Sequence, residues 1–218
     1  MKKHIFKDPV SMPGSSLSPE EVYAGAEPVS GTPGHAYLLR RGIGADIATT
    51  FGVRYHGDFA GRPAVIVPLH DVQGNLTSLH GRYLSTARLQ DKMFTVGRPG
   101  GVISLPESWR VDPLIVVEGL FDALSLAVSG WSSVATIGRH VPWLAEVSRG
   151  RTVWAAFDAG RPGEANAESY RKQLLGAEVR RLPPPPRCKD WNTALVKRGR
   201  EAVSKWVASQ MAAGEAMG

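Results

Sequence analysis

One cysteine in 218 residues, Cys188, leaves no intramolecular disulfide, and without a second Cys no zinc ribbon of the usual spacing can form. The six histidines make no metal-ligand motif either. No window of about 18 apolar residues occurs, so a membrane partner is not expected. Lys2 and Lys3 are followed by polar and Pro/Gly-rich sequence rather than a signal-peptide core, and a cytoplasmic location is expected. Acidic side chains are outnumbered, 20 against 26 Lys and Arg, for a net charge of +6 and a pI near 9.7. Most of the excess is Arg, whose planar fork suits phosphate, so a polyanionic partner competes with a merely solvated basic surface. The 43% of hydrophobic residues are enough for an ordinary core in one large domain or two small ones.

Residues 1–33 are rich in Ser, Pro and Gly and read as a mobile arm with one short helix. That helix is signalled by Ser18-Pro19-Glu20-Glu21, an N-cap hydroxyl, a Pro at the first helical position and a capping-box Glu. The stretch from His35 reads as a helix ended by Gly42, and Ala45 to Phe51 as a second ended by Gly52. Val53 to Tyr55, Ala64 to Leu69 and Leu76 to Leu84 have strand character, with a turn-forming run at Asp71 to Asn75 joining the last two. A short antiparallel sheet follows.

After the Gly-rich patch at Gly97 to Gly101 the pattern changes. Leu114 to Val117, Ser133 to Ile137, Thr152 to Phe157 and Val179 to Leu182 read as strands. They alternate with helical segments at Phe121 to Val128 and Glu164 to Leu175. Such alternation gives right-handed crossovers and a parallel sheet covered on both faces. Pro183 to Pro186 is a stiff connector, and Trp191 to Met211 forms one or two helices punctuated at Gly199. The expected fold is α/β: a small mixed α+β lobe at 34–110, a parallel-sheet lobe at 111–198, and a C-terminal helix and tail at 199–218.

Three clusters carry chemistry. In Val116-Val117-Glu118-Gly119-Leu120-Phe121-Asp122 a buried strand ends in a carboxylate, turns at Gly and enters a helix bearing a second carboxylate. Ligands of open parallel sheets bind at such carboxyl ends, although a solvated Glu118 and a dipole-compensating Asp122 would look the same. Ala155-Ala156-Phe157-Asp158 repeats the arrangement. Two acid-bearing ends in one sheet, separated by one intervening strand, favour a shared site whose repulsion a divalent cation relieves. In Lys189-Asp190-Trp191-Asn192, Asp190 is an N-cap or a further acid, and Lys189 a surface charge or a phosphate contact. Trp109, Trp131 and Trp191 could stack on a base if exposed, and otherwise belong to the core.

Glu118-Gly-Leu-Phe-Asp122, Ala135-Thr-Ile-Gly138, Phe157-Asp158-Ala and Lys189-Asp190-Trp-Asn192 stand in the order and spacing of the TOPRIM domain of topoisomerases, bacterial-type primases and some nucleases. Tyr37-Leu-Leu-Arg-Arg41-Gly-Ile, Pro68-Leu-His-Asp71-Val-Gln-Gly74, Gly81-Arg82-Tyr83 and Lys92-Met-Phe resemble the amino-terminal part of the bacterial-type (DnaG-like) primase catalytic core. The likeness covers roughly residues 34 to 200 and is that of a compact plasmid-, phage- or mobile-element form.

The resemblance implies synthesis of short primers on single-stranded DNA from nucleoside triphosphates. Glu118, Asp158 and Asp122 would be catalytic, and Glu118, Asp158 and Asp190 would hold Mg²⁺ or Mn²⁺. Arg82, Lys92, Lys189, Arg41 and Asn192 would bind nucleic acid or nucleotide. A replicative helicase or a separate zinc-binding protein would recruit the chain, with the basic arm of Lys2, Lys3 and Lys7 as an alternative. One departure stands out: the family's Asp-x-Asp is here Asp158-Ala159-Gly160. Either Asp190, Glu164 or water completes the metal shell, or a second metal is weak, or binding outlives catalysis. The alternatives are therefore a TOPRIM nuclease and a non-catalytic nucleic-acid-binding module.

Overall fold

In a computed structural model, residue 11 and residues 17–85 and 92–216 are described. Lys2, Lys3 and Lys7 lie outside them. The first sheet is antiparallel, with strands β1 (Glu27–Pro28), β2 (Arg54–Phe59), β3 (Arg62–His70), β4 (Leu76–Tyr83) and β5 (Met93–Gly97) in chain order. The β3–β4 turn closes because Asp71 Oδ1 accepts from the backbone N–H groups of Gln73 and Asn75. Helix α1 (Pro19–Ala24) starts at the capping box expected of Ser18 and Glu21, whose two reciprocal bonds are both made. Helices α2 (Pro33–Leu39) and α3 (Ala45–Thr50) end just before Gly42 and Gly52, both at positive φ.

Residues 17–33 differ from the mobile arm expected. Val22, Ala26 and Val29 are buried, and β1 pairs with β2. Three apolar side chains and two ladder partners dock a segment whose Ser, Pro and Gly content reads as loose.

The second sheet is parallel, ordered β7 (Val134–Ala135), β6 (Leu114–Val117), β8 (Thr152–Ala155), β9 (Glu178–Arg181). The remaining helices are α4 (Leu120–Val128), α5 (Leu144–Val147), α6 (Arg161–Gln173), α7 (Trp191–Arg198) and α8 (Arg200–Glu215). In chain order β7 lies between the two acid-bearing strands, but in space it takes the edge. β6 and β8 are direct neighbours, with Val116 opposite Ala155. The two sheets are joined by antiparallel bridges His70 to Val102 and Ile103 to Ala135.

Period-two alternation builds three cores. Ala64 and Ile66 face Phe59, Leu79 and Val22, while Val65, Val67 and Leu69 face the opposite way into a core that also takes Ile115 and Val117 of β6. Leu114 and Val116 instead meet Val153, Phe157 and Ala167 of α6. The largest core is therefore shared by both sheets. No described helix is long and apolar enough to cross a membrane.

Candidate active site

Glu118 directly follows the last residue of β6, and Asp158 stands three residues beyond β8. Since these strands are adjacent and parallel, both acids arrive at one sheet end. Asp122 joins them from the first turn of α4, its Oδ1 accepting from the Trp191 backbone N–H at 3.0 Å. Asp190 caps α7 by accepting from the Thr193 N–H at 2.7 Å. The four line a cleft of about 310 Å³ whose other wall holds Arg41, His80, Arg82 and Lys92 of the antiparallel lobe. A second cavity, about 370 Å³, adjoins through Arg41 and Asn192 and is lined by Arg40 and Lys197.

The electrostatics record an excess of negative charge at the sheet end. Burial, then repulsion from Asp158, raises the Glu118 carboxyl above its ordinary range, against the Asn166 hydrogen bond and Lys189. Burial, then Asp158 and Asp190, pushes Asp122 up to about 7. Asp158 is raised by burial and by Asp190. Lys189 Nζ stands 4.0 Å from Asp158 Oδ2, too exposed to neutralise the group strongly.

Such a donor set fits a divalent cation. Among the described residues, however, no three His, Cys, Asp or Glu side chains are close enough to hold an ion by themselves. Mg²⁺ does not require that, since it keeps several waters and takes one or two carboxylates together with substrate phosphates. Glu118 and Asp158, at the two strand ends, are the carboxylates that could hold it. Asp190 already spends one oxygen on the helix cap. Glu164 is paired with Arg181 at 2.9 Å and is not among the residues that line the cleft. The Gly160 backbone lies at φ 81°, ψ −170°, a conformation almost confined to glycine.

The basic residues divide into two kinds. Arg82 and Lys92 line the cleft, and Arg82 Nε is buried with no hydrogen-bond partner among the described residues. Arg41 stacks 3.9 Å from the Phe121 ring centroid and donates to Asn192 Oδ1 and the Tyr37 hydroxyl. Asn192, expected to bind nucleotide, is buried, and its Nδ2 donates to the Arg41 carbonyl and Ser125 Oγ. Those two bonds tie α7 to the turn after α2 and to α4 and hold Arg41, while Asn192 also lines both cavities. Trp109 and Trp191 are buried and unavailable for stacking, and Trp191 Nε1 donates to the Ala156 carbonyl.

Several site residues escaped the sequence reading. His80 is buried on the cleft wall, bonded to Thr95 Oγ1 at 2.8 Å. Burial, then Arg139 and Arg82, lowers its pKa to about 3, so the ring is neutral. Asn166 Nδ2 donates to Glu118 Oε2 at 3.1 Å, and Arg181 Nη2 donates to the Asp158 carbonyl. Gly163, Asn166, Ala167 and Tyr170 follow the helical repeat that marks the sheet-facing side of α6, a signal present in the sequence. Ile137, a β-branched residue at φ 48°, also lines the cleft, a strained backbone of the kind concentrated at functional sites.

Residues 113–201 match the family described as the Toprim domain, and residues 15–101 match a domain of unknown function (DUF7146). The DNA primase of Synechococcus elongatus is 29% identical over 139 residues, which is 57% of this chain and 20% of that protein. The Aquifex aeolicus primase, solved with its zinc-binding and RNA polymerase domains, superposes with a TM-score of 0.68 at 18% identity, covering 89% of this chain and 62% of that one. A DnaG primase catalytic domain solved bound to single-stranded DNA gives 0.64 at 18% identity, covering 88% and 77%. This chain thus spans about a fifth of the curated relative it matches.

Proposed function

We propose that this chain, a TOPRIM protein resembling the DnaG-type primase core, is a divalent-cation-dependent nucleotidyltransferase that makes short primers on single-stranded DNA. One observation carries the reading: acids from two adjacent strand ends face Arg41, Arg82 and Lys92 across a single cleft. Mg²⁺ or Mn²⁺ bound there would neutralise phosphate charge and lower the cost of the attacking 3′ oxygen. Arg82 and Lys92 draw the triphosphate to the acidic wall and hold it against Glu118 and Asp158. The 3′ oxygen bonds to the α-phosphorus, the bond from that phosphorus to the bridging β-phosphate oxygen breaks, and pyrophosphate leaves. The hydroxyl proton passes to a cleft carboxylate, Glu118 by its place at the β6 strand end, or through it to solvent. Neutral His80 contributes a hydrogen bond without charge.

A second reading has its own support. The glycine-only backbone at position 160 favours a module that binds nucleic acid without catalysis. A TOPRIM nuclease would use the same acids on water, but the antiparallel lobe belongs to the region that superposes on primase cores. Primer synthesis from labelled nucleoside triphosphates on single-stranded DNA separates these readings. Wild type is expected to give short products with Mn²⁺ or Mg²⁺, and Glu118→Gln and Asp158→Asn at least 100-fold less. Folded wild type that binds the template and yields no product leaves the binding module. Template cleavage points to the nuclease.

A further inference from the structure

The two principal acids come from different strands, so something must fix their spacing. Helix α6 has the contacts for it. Gly163 lies so close to the Asp158 carbonyl that an added Cβ would stand 1.7 Å from that oxygen, and Arg181 donates to the same carbonyl. One turn further along, Asn166 donates to Glu118 Oε2 at 3.1 Å. Glu118 Oε1 lies on the Gly138 side, 3.8 Å from where a Cβ there would be.

We propose that Asn166 is a positioning residue that holds Glu118 in register with Asp158, with α6 as the ruler between the two acids. This rests on reading the cleft as a phosphoryl-transfer centre. An amide is suited to the task because it supplies a donor without a counter-charge: a lysine or arginine at 166 would compete with a cation for the carboxylate. It leaves Oε1 to the incoming group. Position 166 follows the Gly160 turn by six residues, so the turn that lacks the second acid also brings this amide to the first.

The test is a double-mutant cycle read on Mn²⁺ affinity rather than on primer synthesis, using wild type, Asn166→Leu, Glu118→Gln and the double variant. Leucine keeps the amide's shape and removes its donor, and Asn166→Ala serves if leucine misfolds. Asn166→Leu is expected to weaken Mn²⁺ binding about 10-fold in the wild-type background. In the Glu118→Gln background it is expected to weaken binding less than about 2-fold. Equal losses in both backgrounds, or no loss in wild type, overturn the proposal. If Glu118→Gln binds no Mn²⁺, the side-chain amide resonances of Asn166 decide. They must move in Glu118→Gln without metal and on Mg²⁺ addition to wild type, and unmoved resonances overturn the assignment. A coupled chain that makes no primers loses the primase reading and keeps the ruler.

Discussion

Asp122 shows what the cleft costs at the level of one residue. Its carboxyl is pushed up to about 7, whereas in the unfolded chain it titrates near 3.8. The folded state therefore binds this proton more tightly. Its contribution is fully present below about pH 4, is lost as pH rises to about 7, and is flat above that. Asn at this position keeps an oxygen for the Trp191 N–H and carries no charge. Asp122→Asn is expected to match wild type in urea unfolding at pH 4 and to be more stable by about 1–3 kcal/mol at pH 8. A difference independent of pH would mean that Asp122 is not the strained acid of the cluster. Glu118 and Asp158 were legible in sequence because a carboxylate that ends an apolar run, with Gly one or two residues on, announces itself. His80 was not, because a histidine inside a strand carries no mark of facing a cleft. The helix-tying bonds of Asn192 were not legible either, because a polar residue beside an acidic motif looks the same whether it meets a ligand or ties helices together.

Among the elements, α6 and the turn before it control the acidic end. Gly160 at φ 81°, ψ −170° cannot be exchanged freely, and a side chain there costs about 1–3 kcal/mol. Gly160→Asp, which places a second acid two residues after Asp158, is expected to lower the melting temperature by roughly 2–4 °C per kcal/mol of that cost and to leave Mn²⁺ affinity unimproved. Tighter binding at unchanged stability would show instead that position 160 accepts an acid. Most elements were readable from period and punctuation. β1 and β5 were not: one is two residues long with Pro28 in it, and the other is an edge strand of mixed exposure. Both take their extended form from a neighbouring strand rather than from a pattern of their own. Sheet order was hidden for a related reason, since chain spacing does not say that β7 crosses to the edge and leaves β6 beside β8.

At the scale of the molecule, the two sheets share one hydrophobic core, from Val65 and Val67 through Ile115 and Val117 to α7 and α8. The Arg41–Asn192–Ser125 hydrogen bonds tie the turn after α2 to α7 and α4 across it. Urea unfolding followed by tryptophan fluorescence and by far-ultraviolet circular dichroism is therefore expected to give one coincident transition. Two separated transitions would mean that the lobes are held together by less than this core. The cleft between them depends on the same packing, because its basic wall stands on one lobe and its acids on the other.

Glu118 and Asp158 are proposed to act as one cation-dependent centre, and calorimetric titration of Mn²⁺ into wild type, Glu118→Gln and Asp158→Asn at pH 8 decides it. Saturable binding to wild type, weakened at least 10-fold in each variant, is the predicted result. Wild type that takes up no Mn²⁺, or variants that bind it as wild type does, would contradict it.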